Sequence, residues 1–199
     1  MIQGRVFFAA LLWLVSSAPT LALADQALVA VAANFSDTAR QLARTYSDNS
    51  QHQLVVVVGS TGKLYAQIIN GAPFDVLLAA DQRRPQRLVE SGHAVATSRF
   101  TYALGLLVLW SANVEGVSND PTASLMAGQR SRVAIANPKL APYGEAARET
   151  LEKLQLWDKL ADRLVRGENV AQAFAMAASG NAGFAFVAAS MSNRRAGSR

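Results

Sequence analysis

The stretch Leu54-Val55-Val56-Val57-Val58-Gly59-Ser60-Thr61-Gly62-Lys63-Leu64 runs from a β-branched strand through a glycine-rich turn into a helix. Leu54 to Val58 is continuous rather than alternating, the pattern of a strand buried on both sides. Lys63 to Ile69 has helical spacing and stops at Asn70-Gly71. Phe74 to Ala80 is a second apolar run. Strand, helix, strand in this order is a βαβ unit and predicts a parallel sheet.

The same alternation extends in both directions. Leu28 to Ala33 reads as a strand, and Phe35, Ala39, Leu42, Ala43 and Tyr46 then share one helical face. Downstream, Pro85 to Ser91 reads as a helix with Gly92 after it. Leu104 to Trp110 and Arg132 to Ala136 read as strands, separated by a polar, turn-rich stretch from Ser111 to Gln129. Glu145 to Leu156 reads as a helix with Ala147, Leu151 and Leu154 on one face. Val170 to Ala178 reads as another, and Gly183 to Val187 as a last strand. The chain is α/β, with mostly parallel sheets.

Composition narrows the function. The 199 residues include no Cys and two His, His52 and His93, without metal-ligand spacing. Thiolate metal sites, Cys nucleophiles and disulfides are excluded, and no metal cation or cofactor is expected. The net charge of +5 suggests nucleic acid, but four of the 19 basic residues are Arg5, Arg194, Arg195 and Arg199, at the two ends. The remainder nearly balances 14 acids, so no nucleic-acid partner is expected. Residues 1–24 have the grammar of an export signal: Arg5, an apolar run from Val6 to Val15, and Ala22-Leu23-Ala24 at a cleavage site. The run is shorter than the ~20 apolar residues a membrane span needs, and Pro19 interrupts it. A periplasmic chain beginning at Asp25 is expected.

Open α/β sheets bind ligands beyond the carboxyl ends of their strands. Four turns stand there: Ala32-Ala33-Asn34-Phe35-Ser36, Gly59-Ser60-Thr61-Gly62-Lys63, Ala141-Pro142-Tyr143-Gly144 and Glu168-Asn169-Val170. Each precedes a predicted helix and offers unpaired N–H groups at the positive end of its dipole. Asn amides and Ser, Thr and Tyr hydroxyls add donors, although Asn34, Ser36 and Asn169 are also ordinary helix caps. The second turn is not a P-loop, because Val57 stands where the first Gly belongs and Leu64 follows Lys63. An exported hydrolase with Ser60 or Ser36 as nucleophile is the alternative. It needs a general base, and both His residues stand in predicted surface loops.

Taken together, these turns and their surroundings resemble the periplasmic molybdate-binding proteins of ABC importers over nearly all of residues 26–190. Further matching stretches are Asn70-Gly71-Ala72-Pro73-Phe74-Asp75-Val76, Ala79-Ala80-Asp81, Ser98 to Ala103, Leu109-Trp110-Ser111, Ala136-Asn137-Pro138, Asn169 to Ala173 and Gly183-Phe184. The resemblance implies the type II periplasmic binding protein fold, with two lobes closing over a ligand cleft. It implies a first lobe from residues 25–103, a second from 104–191, and an unstructured tail from 192–199. The family's return segment to the first lobe is expected to be missing, since the likeness fades after about Met191. It also implies an oxyanion, molybdate or tungstate, held by Asn34, Thr61, Tyr143 and the Val170 N–H, with Ser60 beside them. Asn34 and Tyr143 match the Asn-type branch, and Phe186 stands near a position that is Tyr in the other branch. A membrane permease is the implied partner, the chain is expected to be a monomer, and sulfate is the nearest alternative ligand. The chemistry agrees: molybdate has no proton to give at neutral pH, so its site wants donors and no carboxylate.

Overall fold

A computed structural model describes residues 25–113, 117–127 and 131–192; the expected export signal and all but the first residue of the expected tail lie outside them. The elements alternate as the periodicity predicts. β1 (Gln26–Ala32) leads through a 3-10 turn (Ala33–Phe35) to α1 (Ser36–Asp48) and β2 (Gln53–Gly59). α2 (Thr61–Ile69), β3 (Val76–Leu78) and α3 (Arg83–Glu90) follow. The chain then crosses to β4 (Leu107–Trp110), α4 (Pro121–Ala127), β5 (Val133–Ala136), α5 (Pro142–Lys153), β6 (Leu164–Gly167), α6 (Val170–Ala178), β7 (Phe184–Ala188) and the single turn α7 (Ala189–Ser192).

Two sheets result. The first is parallel throughout, in the order β2-β1-β3, with Val29 opposite both Val56 and Val76. The second has the order β4-β7-β5-β6; β5 is parallel to both neighbours, and β4 alone runs antiparallel, against β7. Strand alternation divides the second sheet into two buried faces. Val133, Ile135, Phe184 and Phe186 pack on one side with Leu125, Ala147, Leu151 and Leu160. Ala134, Ala136, Ala185 and Val187 pack on the other with Ala173 and Ala177 of α6. The small residues let α6 lie close to the sheet. Leu125 and Leu151 are fully buried, each contributing roughly 1.5–3 kcal/mol of hydrophobic stabilisation.

Several local expectations give way to tertiary context. β2 is an edge strand rather than one buried on both sides: α1 covers Leu54 and Val56, whereas Val55 is 37% exposed. A valine run records β propensity and cannot tell how many neighbours the strand will have. The strand expected over Phe74 to Ala80 shrinks to three residues, with Val76 exposed. In the turn-rich stretch, Pro121 starts α4, whose Leu125 fills the second core. Leu154 falls one residue beyond α5 and is exposed. Leu104 and Leu106 precede β4 instead of belonging to it. Ser192, expected to open the tail, ends α7 with its hydroxyl donating to the Ala189 carbonyl at 2.8 Å.

Candidate functional site

All four turns converge between the two sheets. Ala32, Ala33 and Asn34 from the end of β1, Ser60 and Thr61 from the start of α2, Ala141, Pro142 and Tyr143 from the start of α5, and Asn169 and Val170 from the start of α6 line one pocket, with Ala80. The five residues singled out in the sequence, Asn34, Ser60, Thr61, Tyr143 and Val170, are all among them. The cavity is small, about 10 Å³, on the order of one water's allowance. A compact solute suits such a space; a nucleotide does not. No acidic or basic side chain lines it.

The donors are poised by the bonds their neighbours make. Thr61 is fully buried, and its Oγ1 accepts the Ala80 N–H at 3.1 Å. With the oxygen so engaged, its own proton remains to be given elsewhere. Asn169 caps α6: its Oδ1 accepts the N–H groups of Ala171 and Gln172 at 3.0 and 3.1 Å. The cap reading therefore holds for Asn169, and the N–H of Val170, the first helical residue, is the one it leaves aside. Asn34 does not cap α1; it sits in the 3-10 turn, and the N-cap position is Phe35. Ser36 donates to Asp37 at 3.4 Å.

Tyr143 is 9% exposed. Burial pushes its pKa up, and the neighbouring Asn34 side chain pulls partly the other way. A phenol that keeps its proton can donate it to a ligand in the pocket. Tyr102 lies nearby, its hydroxyl donating to the Ala79 carbonyl at 2.9 Å and its ring edge-on to Phe35 at 5.2 Å. Its pKa is raised by burial and then by Tyr143. Sequence reading did not single out Tyr102; a Tyr in the crossing segment carries no motif of its own.

Two buried polar atoms among the described residues have no partner, Asn34 Oδ1 and Ser60 Oγ, and both residues line this pocket. An unsatisfied buried group costs about 1–3 kcal/mol, which a ligand can relieve. Ser60 also has no base beside it. His52 and His93 are exposed, and His93 Nδ1 meets Ser91 at 3.0 Å. The nucleophile reading of Ser60 has no chemistry to support it. The described residues hold no group of three or more His, Cys, Asp or Glu that could bind a metal ion.

Contacts between the sheets flank the pocket. The Gly62 N–H, in the first turn of α2, donates to the Leu140 carbonyl at 2.8 Å. Lys63 pairs with Glu168 at 2.7 Å, and Arg83 holds Glu145 through two bonds of 2.9 and 3.2 Å. Lys63 is thus a bridging residue between the two units. The buried Arg84 is neutralised by Asp81. Around the neutral pocket, then, cations from the first unit meet carboxylates from the second.

Two α/β units joined over a small polar pocket define a type II periplasmic binding protein, and solved structures agree. The Azotobacter vinelandii periplasmic molybdate-binding protein superimposes with a TM-score of 0.76 at 44% identity, covering 81% of this chain and 71% of that one. The chain belongs to the bacterial extracellular solute-binding protein family, whose pattern matches residues 27–198. That match runs beyond the Met191 limit read from the sequence. The molybdate-binding protein of Rhodobacter capsulatus is 44% identical over 167 residues, 84% of this chain and 66% of its own length. That of Azotobacter vinelandii is 46% identical over 169 residues, 85% of this chain and 67% of its own. The chain therefore spans about two thirds of the length of these relatives. Solute binding, not catalysis, is the role of the family, and it places the protein on the exported side of the cell membrane.

Proposed function

We propose that this protein captures molybdate or tungstate in the periplasm and presents it, as a monomer, to the permease of an ABC importer. One observation carries the reading: donors from four separated turns converge on a small pocket that no charged side chain lines. Asn34, Ser60, Thr61 and Tyr143 give side-chain donors and Val170 a backbone N–H. Fixed neutral dipoles in a dry cleft stabilise an anion without a paired cation. The similarity to molybdate-binding proteins supports this choice of ion. Residues 25–103 and 104–191 form the two lobes in this reading, and the first 24 residues are the cleaved export signal. Mass spectrometry of the exported protein should find Asp25 first; retention of Met1 would refute the cleavage.

A second reading rests on Asn34 Oδ1, a buried acceptor without a partner. An acceptor suits a ligand that keeps a proton, such as hydrogen phosphate. Calorimetric titration with molybdate, tungstate, sulfate and phosphate separates these. Molybdate and tungstate should bind one to one and tightest. Tighter sulfate or phosphate binding would overturn the assignment of the ion, and binding of none would overturn the site.

A further inference from the structure

We propose that Gly105 is a positioning residue for the Tyr143 hydroxyl, and that through this hydroxyl it sets the size of anion the pocket accepts. The inference rests on the oxyanion reading of the pocket. Gly105 lies in the segment that crosses from the first sheet to β4. A Cβ placed on it would stand 2.1 Å from Tyr143 Oη, 3.2 Å from Cζ and 3.9 Å from Cε2, with no other atom among its nearest contacts. The space that a side chain would take is occupied almost entirely by the hydroxyl.

Backbone conformation does not explain this glycine. Gly71, Gly92 and Gly180 have positive φ, and Gly105 does not. Packing of its neighbours does not explain it either, since Leu104 and Leu106 are 90% and 70% exposed. What remains is room for one oxygen. Tyr143 is nearly buried, and both it and Asn34 line the pocket. The phenol oxygen thus takes the place that a side chain at 105 would need. Any side chain at 105 must drive the hydroxyl off by roughly 1 Å to restore van der Waals distance. A tyrosine has two rotatable side-chain bonds and a buried ring, so that displacement misaims the donor and changes the cavity wall. A hydrogen bond weakens steeply with such misalignment. The largest ion, which needs every wall in place, loses most.

The test is a double-mutant cycle on the exported protein, titrated with molybdate and sulfate, with thermal unfolding of each variant. Gly105→Ala should weaken molybdate binding about tenfold to a hundredfold and lower the preference for molybdate over sulfate. In a Tyr143→Phe background, where the clashing oxygen is gone, Gly105→Ala should add less than about a threefold loss, as expected of fully coupled neighbours. Should Gly105→Ala fail to fold while the double variant folds, the contact is confirmed by rescue. Equal losses in both backgrounds, no loss in either, or failure of both to fold would overturn the proposal. If the parent protein binds no oxyanion, the fault lies with the functional reading instead.

Discussion

Lys63 and Glu168, 105 residues apart in sequence, meet at 2.7 Å across the junction of the two sheets, one in the first turn of α2 and the other just before α6. Each flanks a turn that lines the pocket, so their ion pair ties two of those turns together without lining the site. Arg83 and Glu145 make a second pair of the same polarity. Both pairs are half exposed, which limits each to about 0–1 kcal/mol. Replacing Lys63 and Arg83 together by Met should speed anion release several-fold and leave capture little changed. Stopped-flow fluorescence of the remaining tryptophans checks this. At about 1 M salt, where screening is strong over ~3 Å, parent and variant should release at similar rates. A release rate that ignores both mutation and salt would show that the pairs do not hold the closed form.

Asn34→Asp should nearly abolish binding of molybdate, because it sets a like charge in a pocket that holds no cation. Tyr143→Phe removes one neutral donor and should cost about 1–3 kcal/mol of binding. Calorimetry measures both; full affinity in Asn34→Asp would place the site elsewhere.

Ser60 and Thr61 should separate binding from stability. Ser60 Oγ is buried without a partner, so Ser60→Ala should leave the unliganded melting temperature unchanged or raised while reducing the shift caused by molybdate. Thr61 Oγ1 holds the Ala80 N–H. Thr61→Val should therefore destabilise the unliganded protein as well, by about 1–3 kcal/mol. Thermal unfolding with and without the anion reads both effects.

Tyr102 and Tyr143 are raised above the ordinary value of 10.0 mainly by burial. The folded state thus favours their neutral forms. Their contribution to stability is complete below about pH 10 and is lost as pH rises through the folded values. Two of the four tyrosines should titrate late in ultraviolet absorbance, and stability should fall as they do. Molybdate binding should stay level up to that range, since the Tyr143 donor keeps its proton. A fall in affinity near neutrality would contradict this assignment.

Phe100 and Leu104 are 79% and 90% exposed on the crossing segment. Apolar groups at such exposure favour self-association. Phe100→Ser with Leu104→Gln should raise the concentration at which light scattering first appears and change stability by about 0.5 kcal/mol or less. Unchanged scattering would show that these side chains do not drive association.

Local chemistry alone marked the α/β alternation and the four turns that could bind an anion. Helical and strand periods are written in neighbouring residues, and a strand leading through a turn into a helix leaves N–H groups unpaired wherever the chain goes next. The turns that hold Asn34, Ser60, Thr61, Tyr143 and Val170 were legible for that reason, and the choice of those five within them came from the resemblance to the molybdate-binding family. The sequence could not show that Val55 would face solvent at a sheet edge or that Pro121 would start a core helix. Nor could it show that Lys63 would find Glu168, or that Gly105 would be bare to admit the Tyr143 hydroxyl. Those outcomes depend on which segments meet. Only the packing of the two sheets, through burial that acts between residues far apart in sequence, brings the four turns together and turns separate donors into one pocket.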